Sequence, residues 1–294
     1  MPSSHISTGF TVRFGFMRRR IADHLATALA AAAAVLVLAP LIAIFAYLIF
    51  RGASALSWEF LTQAPKPVGE SGGGIGNAIA GSGIILGIGS LLGVPIGVGA
   101  GVYLAEFGGG RFSYLVRFIA DVLNGVPSIV IGLVVYGILV IQQKHFSAIA
   151  GGVALAIMMI PTVARSTEEM LLLVPQSVRE AAFGLGVPHW RTTVSVTLRS
   201  ATSGIITGIM LAFARVAGET APLLFTAFGN QFWSLDPTQP TAALPLQIFA
   251  YAISPFEEWH RQAWAGALVL IILIVGTVSM VRFVFQRGVF RGVR

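Results

Sequence analysis

Long uncharged apolar stretches, separated by short polar segments, dominate the chain. A helix crosses a hydrocarbon layer of about 30 Å with about 20 residues, because each residue advances the helix by about 1.5 Å. Six stretches are long enough. We therefore predict an all-α membrane protein with six transmembrane helices, at residues 25–50, 78–102, 115–141, 146–164, 200–228 and 262–281.

The composition agrees with a membrane location. Of the 294 residues, 55% are hydrophobic and 11% are charged, whereas a soluble domain carries about a quarter charged residues. Cysteine is absent, which excludes disulfides, thiolate zinc sites and a catalytic thiol. The five histidines are scattered without the spacing of metal ligands, so we expect no metal site.

The basic residues are distributed unequally between the two sides of the membrane. If the N-terminus is cytoplasmic, 14 of the 19 lysines and arginines lie in cytoplasmic segments, and those outside are Arg51, Lys66, Lys144 and Arg261. This positive-inside bias predicts cytoplasmic termini, at residues 1–24 and 286–294. It also accounts for the net charge of +7 without a nucleic-acid partner. The first apolar stretch exceeds the roughly 7–15 apolar residues of a signal peptide, so we expect it to be retained.

Small residues recur at every fourth position in two of the predicted spans. Such ridges let helix backbones approach closely in lipid, so they predict a tightly packed bundle. One ridge is Gly89, Gly93, Gly97 and Gly101, and the other is Ser200, Gly204, Gly208 and Ala212. We expect the glycines at 72–74 to form a flexible entry to the second span, and the prolines at 95 and 161 to bend their helices.

Residues 165–199 form the longest predicted cytoplasmic loop. Ser177 and Glu180 have the spacing of a capping box, in which each side chain satisfies a backbone N–H at the start of a helix. Gly186 can adopt the left-handed conformation that ends a helix, and Pro188 blocks its continuation. We predict a helix of about two turns outside the membrane.

This loop resembles the EAA loop of ABC-importer permeases. The matching residues are Glu180, Ala181, Ala182 and Gly186, followed after nine intervening residues by the Val196-x-Leu198 pair, and Arg199 stands where the family pattern has proline. The resemblance implies a coupling helix that docks into a groove on a separate cytoplasmic ATPase. A capped connector without a partner is the alternative that the residues alone leave open.

Three longer segments, 118–133, 214–226 and 244–249, are similar to the permease subunits of bacterial phosphate importers, and the similarity covers roughly residues 70–285. It implies a MetI-like permease core at 70–285, preceded by the first helix at 25–50, in the bacterial inner membrane. The implied partners are a PstC-type permease, two PstB-type ATPases and a periplasmic PstS-type phosphate-binding protein. ATP and Mg would bind the ATPases, and we expect no cofactor in this chain.

Polar residues within two predicted spans mark a candidate substrate path. An arginine at mid-membrane costs about 2.5–3.5 kcal/mol for insertion, and Arg215 is expected near mid-depth on the bundle-facing stripe. It can offer forked donors to phosphate oxygens while Glu219, four residues later, holds it. Thr220 follows in the same segment. The structural alternative is an ion pair that only fixes the helix register.

A second set of polar residues lies on one face of the third span. Asp121, Asn124 and Ser128 can supply hydrogen bonds to the bundle interior, and Arg117 is placed to pair with Asp121. The opposing interpretation puts Asp121 at the cytoplasmic boundary. Residues 230–260 are predicted to lie outside, either as a lid or dock for the binding protein or as an interfacial aromatic belt.

The chain has no Gly-x-x-x-x-Gly-Lys-Ser/Thr motif, so we expect a transport subunit rather than an enzyme, with ATP hydrolysis on a partner. Sulfate and molybdate remain alternative substrates, because all three oxyanions suit one arginine. A proton- or sodium-coupled anion carrier that uses Asp121 or Glu219 is a further alternative, and it usually carries an inverted repeat that we do not find.

Overall fold

The computed structural model describes the backbone of residues 8–67, 70 and 72–291, and the side chains of residues 19–67, 70 and 72–285. The regular secondary structure of the described chain is helical apart from one isolated bridge between Phe228 and Thr241. Its helices are α1 (Thr8–Gly52), α2 (Trp58–Thr62), α3 (Gly76–Phe107), α4 (Arg111–Gly125), α5 (Ser128–Val135), α6 (Ile141–Gln143), α7 (Ala148–Leu172), α8 (Gln176–Gly184), α9 (His189–Thr192), α10 (Leu198–Ala217), α11 (Ala221–Thr226), α12 (Leu244–Ala252) and α13 (Glu257–Arg291).

Five helical stretches of the described chain are long and apolar enough to cross a membrane. They are Arg19–Ala55, Gly76–Phe107, Ala148–Leu172, His189–Ala217 and Glu257–Phe285. A sixth span results if the bent pair Arg111–Gly125 and Ser128–Gln143 is counted as one. The predicted all-α membrane fold is therefore confirmed, and the predicted six spans correspond to these five plus the bent pair.

The third span is not the single straight helix that we predicted at residues 115–141. The chain bends by 105° between its two halves. Pro127 has no N–H to continue the helix, and it forces Val126 into an extended conformation, with φ −71° and ψ 131°. The second half then continues through a π-helical turn at Tyr136–Val140 into α6.

The chain divides into two compact units, one ending at Phe50 and the other beginning at Arg51. The first contains nearly all of α1, whose apolar side chains from Ile21 to Phe50 are mostly exposed, as expected of a helix surrounded by lipid. The second unit contains the remaining helices and is described from here on.

The glycine ridge of α3 packs against α7. A Cβ on Gly97 would lie 2.7 Å from the Cβ of Val163, and a Cβ on Gly101 would lie 2.6 Å from the carbonyl oxygen of Ala164. No side chain larger than hydrogen fits at this spacing, so the predicted close packing is confirmed. α7 is the central helix, because 67% of the residues in its most apolar 18-residue stretch are buried.

The second ridge, on α10, packs against another face of α7. Gly208 lies against Ser166 and Gly204 lies against Met170. The fifth span begins and ends earlier than the predicted 200–228. It runs from His189 to Ala217. Gly218 ends the helix, and α11 starts separately at Ala221.

The glycines at 72–74 form a specified turn rather than the flexible entry that we predicted. Gly72 and Gly73 both have positive φ, at 89° and 80°. Gly74 lies against the carbonyl oxygens at the end of α2, where a Cβ would collide with the backbone of Phe60. The carbonyls of Gly72 and Gly74 accept hydrogen bonds from Gln262 and Gln247. The turn therefore joins α2, α3, α12 and α13.

The helix predicted in the loop 165–199 is present as α8, and Gly186 ends it with φ +78° as expected. The predicted capping box is wrong, because α8 begins after Pro175 and no side chain caps it. The flanking helices also extend into the predicted loop 165–199, to Leu172 and from His189.

The N-terminus of α7 is capped from residues 226–239. Ser147 accepts from the N–H of Ala150, while the N–H groups of Ala148 and Ile149 donate to the carbonyls of Gln239 and Pro237, at 3.2 and 3.0 Å. These contacts satisfy the donors that a helix start leaves without intrahelical partners. Part of the predicted outer segment 230–260 is thus attached to the central helix.

We expect Gly101→Ala to lower the free energy of unfolding by about 1–3 kcal/mol, because the added methyl overpacks the α3–α7 contact. Gly99→Ala is the matched control, since a Cβ there meets nothing within 4 Å. Its higher helix propensity should leave stability unchanged or raise it by up to about 1 kcal/mol. Chemical unfolding of the detergent-solubilised protein measures both, and equal stabilities would contradict the assigned packing.

A second prediction concerns the loop that caps α7. The hydroxyl and the backbone N–H of Thr238 both donate to Asp236, and they lower the pKa of that carboxyl below 3.8. A lowered folded-state pKa stabilises the fold above the unfolded pKa, and this contribution is lost as the pH falls through the folded pKa. Asp236→Ala should therefore lower the apparent melting temperature at pH 7, with a difference that shrinks below about pH 4. Thr238→Val should weaken the same pH dependence, and a difference independent of pH would refute the assignment.

Candidate functional site

Two breaks in the helical backbone lie close together inside the bundle. One is the bend between α4 and α5, and the other is the segment between α10 and α11. They are connected by Gly132 on α5, where a Cβ would lie 2.6 Å from the Cα of Pro222 on α11. Non-helical backbone at membrane depth is tolerated only where protein or a water-filled cavity surrounds it, and substrate sites of transporters are typically built from such discontinuous helices.

Polar side chains join α4 to α7 along the approach to the first break. Both carboxylate oxygens of Asp121 accept from Nη2 of Arg165, at 2.7 and 2.6 Å, and Oδ1 also accepts from Nε at 3.0 Å. Three residues later on α4, Asn124 accepts from the hydroxyl of Thr162 at 3.2 Å. The two helices run antiparallel, so successive polar residues along α4 contact residues that lie progressively earlier in α7.

The predicted pairing of Arg117 with Asp121 is wrong. Arg117 instead donates to Glu168 on α7 at 2.7 Å and to the carbonyls of Leu104 and Gly108 near the end of α3. α7 presents charges of opposite sign to those of α4 at matching positions, and a charge-assisted bond between helices takes the place of the local pair.

Glu168 is a buried acid on α7 that contacts an arginine on α4 and another on its own helix. Its side chain is only 5% exposed, and it accepts from both Arg117 and Arg165. We did not predict it from the sequence. The available signal was an acid three residues after Arg165, at the end of an apolar stretch.

The predicted path residues differ in exposure. The side chain of Asp121 is 57% exposed. Asn124 and Arg215 are also exposed, whereas Ser128 is half-buried. A charged or polar group exposed at membrane depth is costly unless it faces water, a substrate or another protein. The exposed side chains are therefore candidates for contact with water, a substrate or a partner chain.

Arg215 and Glu219 do not form the predicted pair within the described chain. α10 ends at Ala217, and the N–H of Glu219 turns back to the carbonyl of Val216 at 3.1 Å, so the i+4 geometry of a continuous helix does not exist there. Arg215 is exposed although Ala212, on the predicted stripe, is buried. Glu219 and Thr220 lie in the second break and are half-buried.

The residues predicted for coupling lie on α8 and in its C-terminal turn. Ala182 is buried against the bundle, while Glu180, Ala181 and Gly186 are exposed. Large apolar side chains are exposed beside them, with Leu185 85% and Trp190 67% exposed. An exposed apolar surface of this kind on a polar loop marks a protein contact.

The predicted outer segment 230–260 is partly buried, which neither a free lid nor a surface aromatic belt explains. The N–H of Leu244 donates to the hydroxyl of Ser82 at 2.7 Å, and Ala243 and Leu244 are each 1% exposed. A cavity of about 390 Å³ opens beside α12, lined by Lys66, Phe228, Asn230, Gln231, Gln247, Tyr251 and Trp259 among others. Burial raises the pKa of the Tyr251 phenol, so it is neutral at physiological pH.

Comparison with known proteins agrees with this architecture. Residues 93–294 match the family model described as the binding-protein-dependent transport system inner membrane component. The chain is 49% identical over 240 residues to the phosphate transport system permease protein PstA of Yersinia pestis, covering 81% of each. It is 38% identical over 284 residues to the phosphate transport system permease protein PstA 1 of Mycobacterium tuberculosis (strain CDC 1551 / Oshkosh), covering 92% of each.

A solved structure shows the same fold at lower identity. An inward-facing form of the MetNI methionine ABC transporter is similar with a TM-score of 0.55 and 18% sequence identity, and the match covers 75% of this chain and 94% of that chain. The predicted MetI-like permease fold is confirmed.

Buried and exposed ion pairs at this site should differ in their contribution to stability. Glu168→Ala should lower the free energy of unfolding by about 3–5 kcal/mol, because it leaves two arginines without their buried partner. Asp121→Ala, which removes a largely exposed partner of Arg165, should cost less than about 1 kcal/mol. Chemical unfolding of both variants in detergent tests the contrast. Comparable losses of unfolding free energy would show that the ion pairs between α4 and α7 do not depend on Glu168.

Proposed function

The chain belongs to the family of binding-protein-dependent transport system inner membrane components, and we propose that it is the transmembrane permease subunit of an ATP-driven ABC importer for inorganic phosphate. The observation that carries the substrate is the 49% identity over 240 residues to a protein named as a phosphate transport permease. The structure supports transport through the two adjoining helix breaks and the exposed polar face beside them.

Arg215 is the proposed anion contact. In the described chain its side chain has no hydrogen bond or ion pair, although it is exposed in the last turn of a transmembrane helix. A guanidinium offers forked donors that match the oxygens of a phosphate. Glu219 and Thr220 in the second break, and Asp121, Asn124 and Ser128 beside the first, would form the rest of the path.

A partner permease would complete this path. The polar residues that we assign to it are largely exposed, so a single chain leaves them facing lipid at a high energetic cost. A PstC-type permease subunit placed against this face would enclose them. We propose that the periplasmic PstS-type binding protein delivers phosphate to the α12 end of the assembly.

Two PstB-type ATPases would supply the driving force, with ATP and Mg bound by them and no cofactor in this chain. The exposed Glu180, Ala181 and Gly186 form the proposed docking surface, and Ala182 attaches it to the bundle. In this proposal the α8 end and both termini lie in the cytoplasm. ATP shifts the conformational equilibrium only through its different contacts with the inward- and outward-facing states.

Sulfate and molybdate are the alternative substrates, since Arg215 alone does not separate tetrahedral oxyanions. An ion-coupled carrier is disfavoured by the family and by the exposed apolar surface around α8, which such a carrier would not need.

The test is uptake of labelled phosphate into vesicles that contain this chain, its partner permease, the ATPase and the binding protein. Native protein should transport phosphate only with ATP, and excess sulfate should not compete. Arg215→Gln should lower the uptake rate by about 10- to 100-fold, because a hydrogen bond to a charged group contributes about 1.5–3 kcal/mol.

Two further variants sharpen the result. Arg215→Lys keeps the charge without the fork and should retain an intermediate rate. Arg282→Ala, which removes an exposed arginine from the last span, should transport like native protein. Uptake without the ATPase would refute the importer, competition by sulfate would refute the substrate, and normal uptake by Arg215→Gln would refute the site.

A further inference from the structure

Glu106 lies in the last turn of α3, at the α8 end of the bundle, with its side chain only 4% exposed. A carboxylate is doubly disfavoured there, because burial removes its hydration and the C-terminus of a helix carries negative partial charge. Its presence therefore requires strong compensation from neighbouring groups.

In the described chain, the groups that compensate it come from the segment that joins α7 to α10. The guanidinium of Arg179, on α8, donates to Glu106 Oε1. The hydroxyl of Thr193, beyond α8, donates to Oε2 at 3.1 Å, and Nε2 of His189 lies 4.0 Å from the same oxygen. The buried carboxylate of Glu106 therefore contacts the proposed coupling loop both on α8 and in the segment that follows it.

Arg179 also connects α8 to the central helix. Its second terminal nitrogen donates to the carbonyl of Leu171, in the last turn of α7, at 2.8 Å. The ring of His189 lies between Phe107 and Phe183, with ring centroids 5.4 and 5.7 Å away. The ends of α3 and α7 therefore meet α8 at this point.

Other attachments of α8 to the bundle are few. Ala182 is the one buried residue of α8 in the described chain, and its methyl group can transmit pushing contact but no directional pull. Arg179, at 12% side-chain exposure, carries the ionic attachment. The helix pair that it holds is stiff, since Gly101 lies one turn before the last turn of α3 and packs directly on α7.

We propose that Glu106 is the positioning residue through which movement of α8 is delivered to the transmembrane helices. The inference rests on the proposed function. Pulling on Arg179 moves α3 and α7 as one body, because the force enters at Glu106 and at the carbonyl of Leu171 together. Without the charge at Glu106, the ATPase would still dock on the exposed side of α8, but ATP hydrolysis would no longer drive phosphate efficiently.

The test is the number of phosphate ions transported per ATP hydrolysed by the reconstituted complex. Glu106→Gln should lower this ratio by about tenfold. The ATPase should still copurify, and ATP hydrolysis should persist. Glu169→Gln is the matched control, because Glu169 is exposed near the end of α7 and its side chain has no partner in the described chain. It should behave like native protein.

Charge reversal separates coupling from a merely structural role. Glu106→Arg and Arg179→Glu should each lower the transport ratio, and the two together should raise it above either single variant, because an opposite-charge pair is restored. A Glu106→Gln ratio equal to that of native protein would overturn the inference, as would failure of the double reversal to exceed both single reversals. A native complex that hydrolyses ATP without moving phosphate would instead contradict the importer itself.

Discussion

The close contact between α3 and α7 sets the position of the other elements. Lipid offers no hydrophobic force to bring helices together, so they associate where small residues let backbones touch over a long distance. The ridge that includes Gly97 and Gly101 provides that contact. With α7 fixed at the centre, its remaining faces receive α4 through ion pairs and α10 through Gly208. The loop from 226 to 239 then closes its N-terminus.

The buried acids lie where this arrangement can compensate them. Glu106 and Glu168 are almost fully buried, and each is matched by at least one arginine from a neighbouring segment. Both lie at the α8 end, close to the polar boundary of the bundle. Asp121 and Arg215 differ, because their exposure within a membrane-spanning chain requires something outside the chain to face them. Burial with compensation therefore marks structural charges here, and exposure marks the proposed path.

The sequence predicted what depends on local pattern. The apolar lengths, the glycine ridges, the helix at α8 and the left-handed turn at Gly186 are each determined within a few residues, and all are present. The bend before α5 was also within reach, since Pro127 restricts both itself and its predecessor. The pairing of charges was not. Arg117 and Asp121 satisfy the spacing rule for a helix, but their actual partners lie on α7, 51 and 44 residues away. Glu106 was not predicted, because nothing in its neighbourhood along the chain shows that Arg179 would reach it.

In the proposed mechanism, the movement of α8 and the passage of substrate involve different parts of one small bundle. Arg179 and Glu106 attach α8 to the α8 end of α3 and α7. Along α7, Arg165 and Thr162 carry contacts from that end to Asp121 and Asn124, immediately before the bend into α5. That bend adjoins the break that follows Arg215, through Gly132 and Pro222. A shift of α7 relative to α4 would therefore reach both breaks without unfolding any helix. The helices are already interrupted at the points where we propose that the pathway opens.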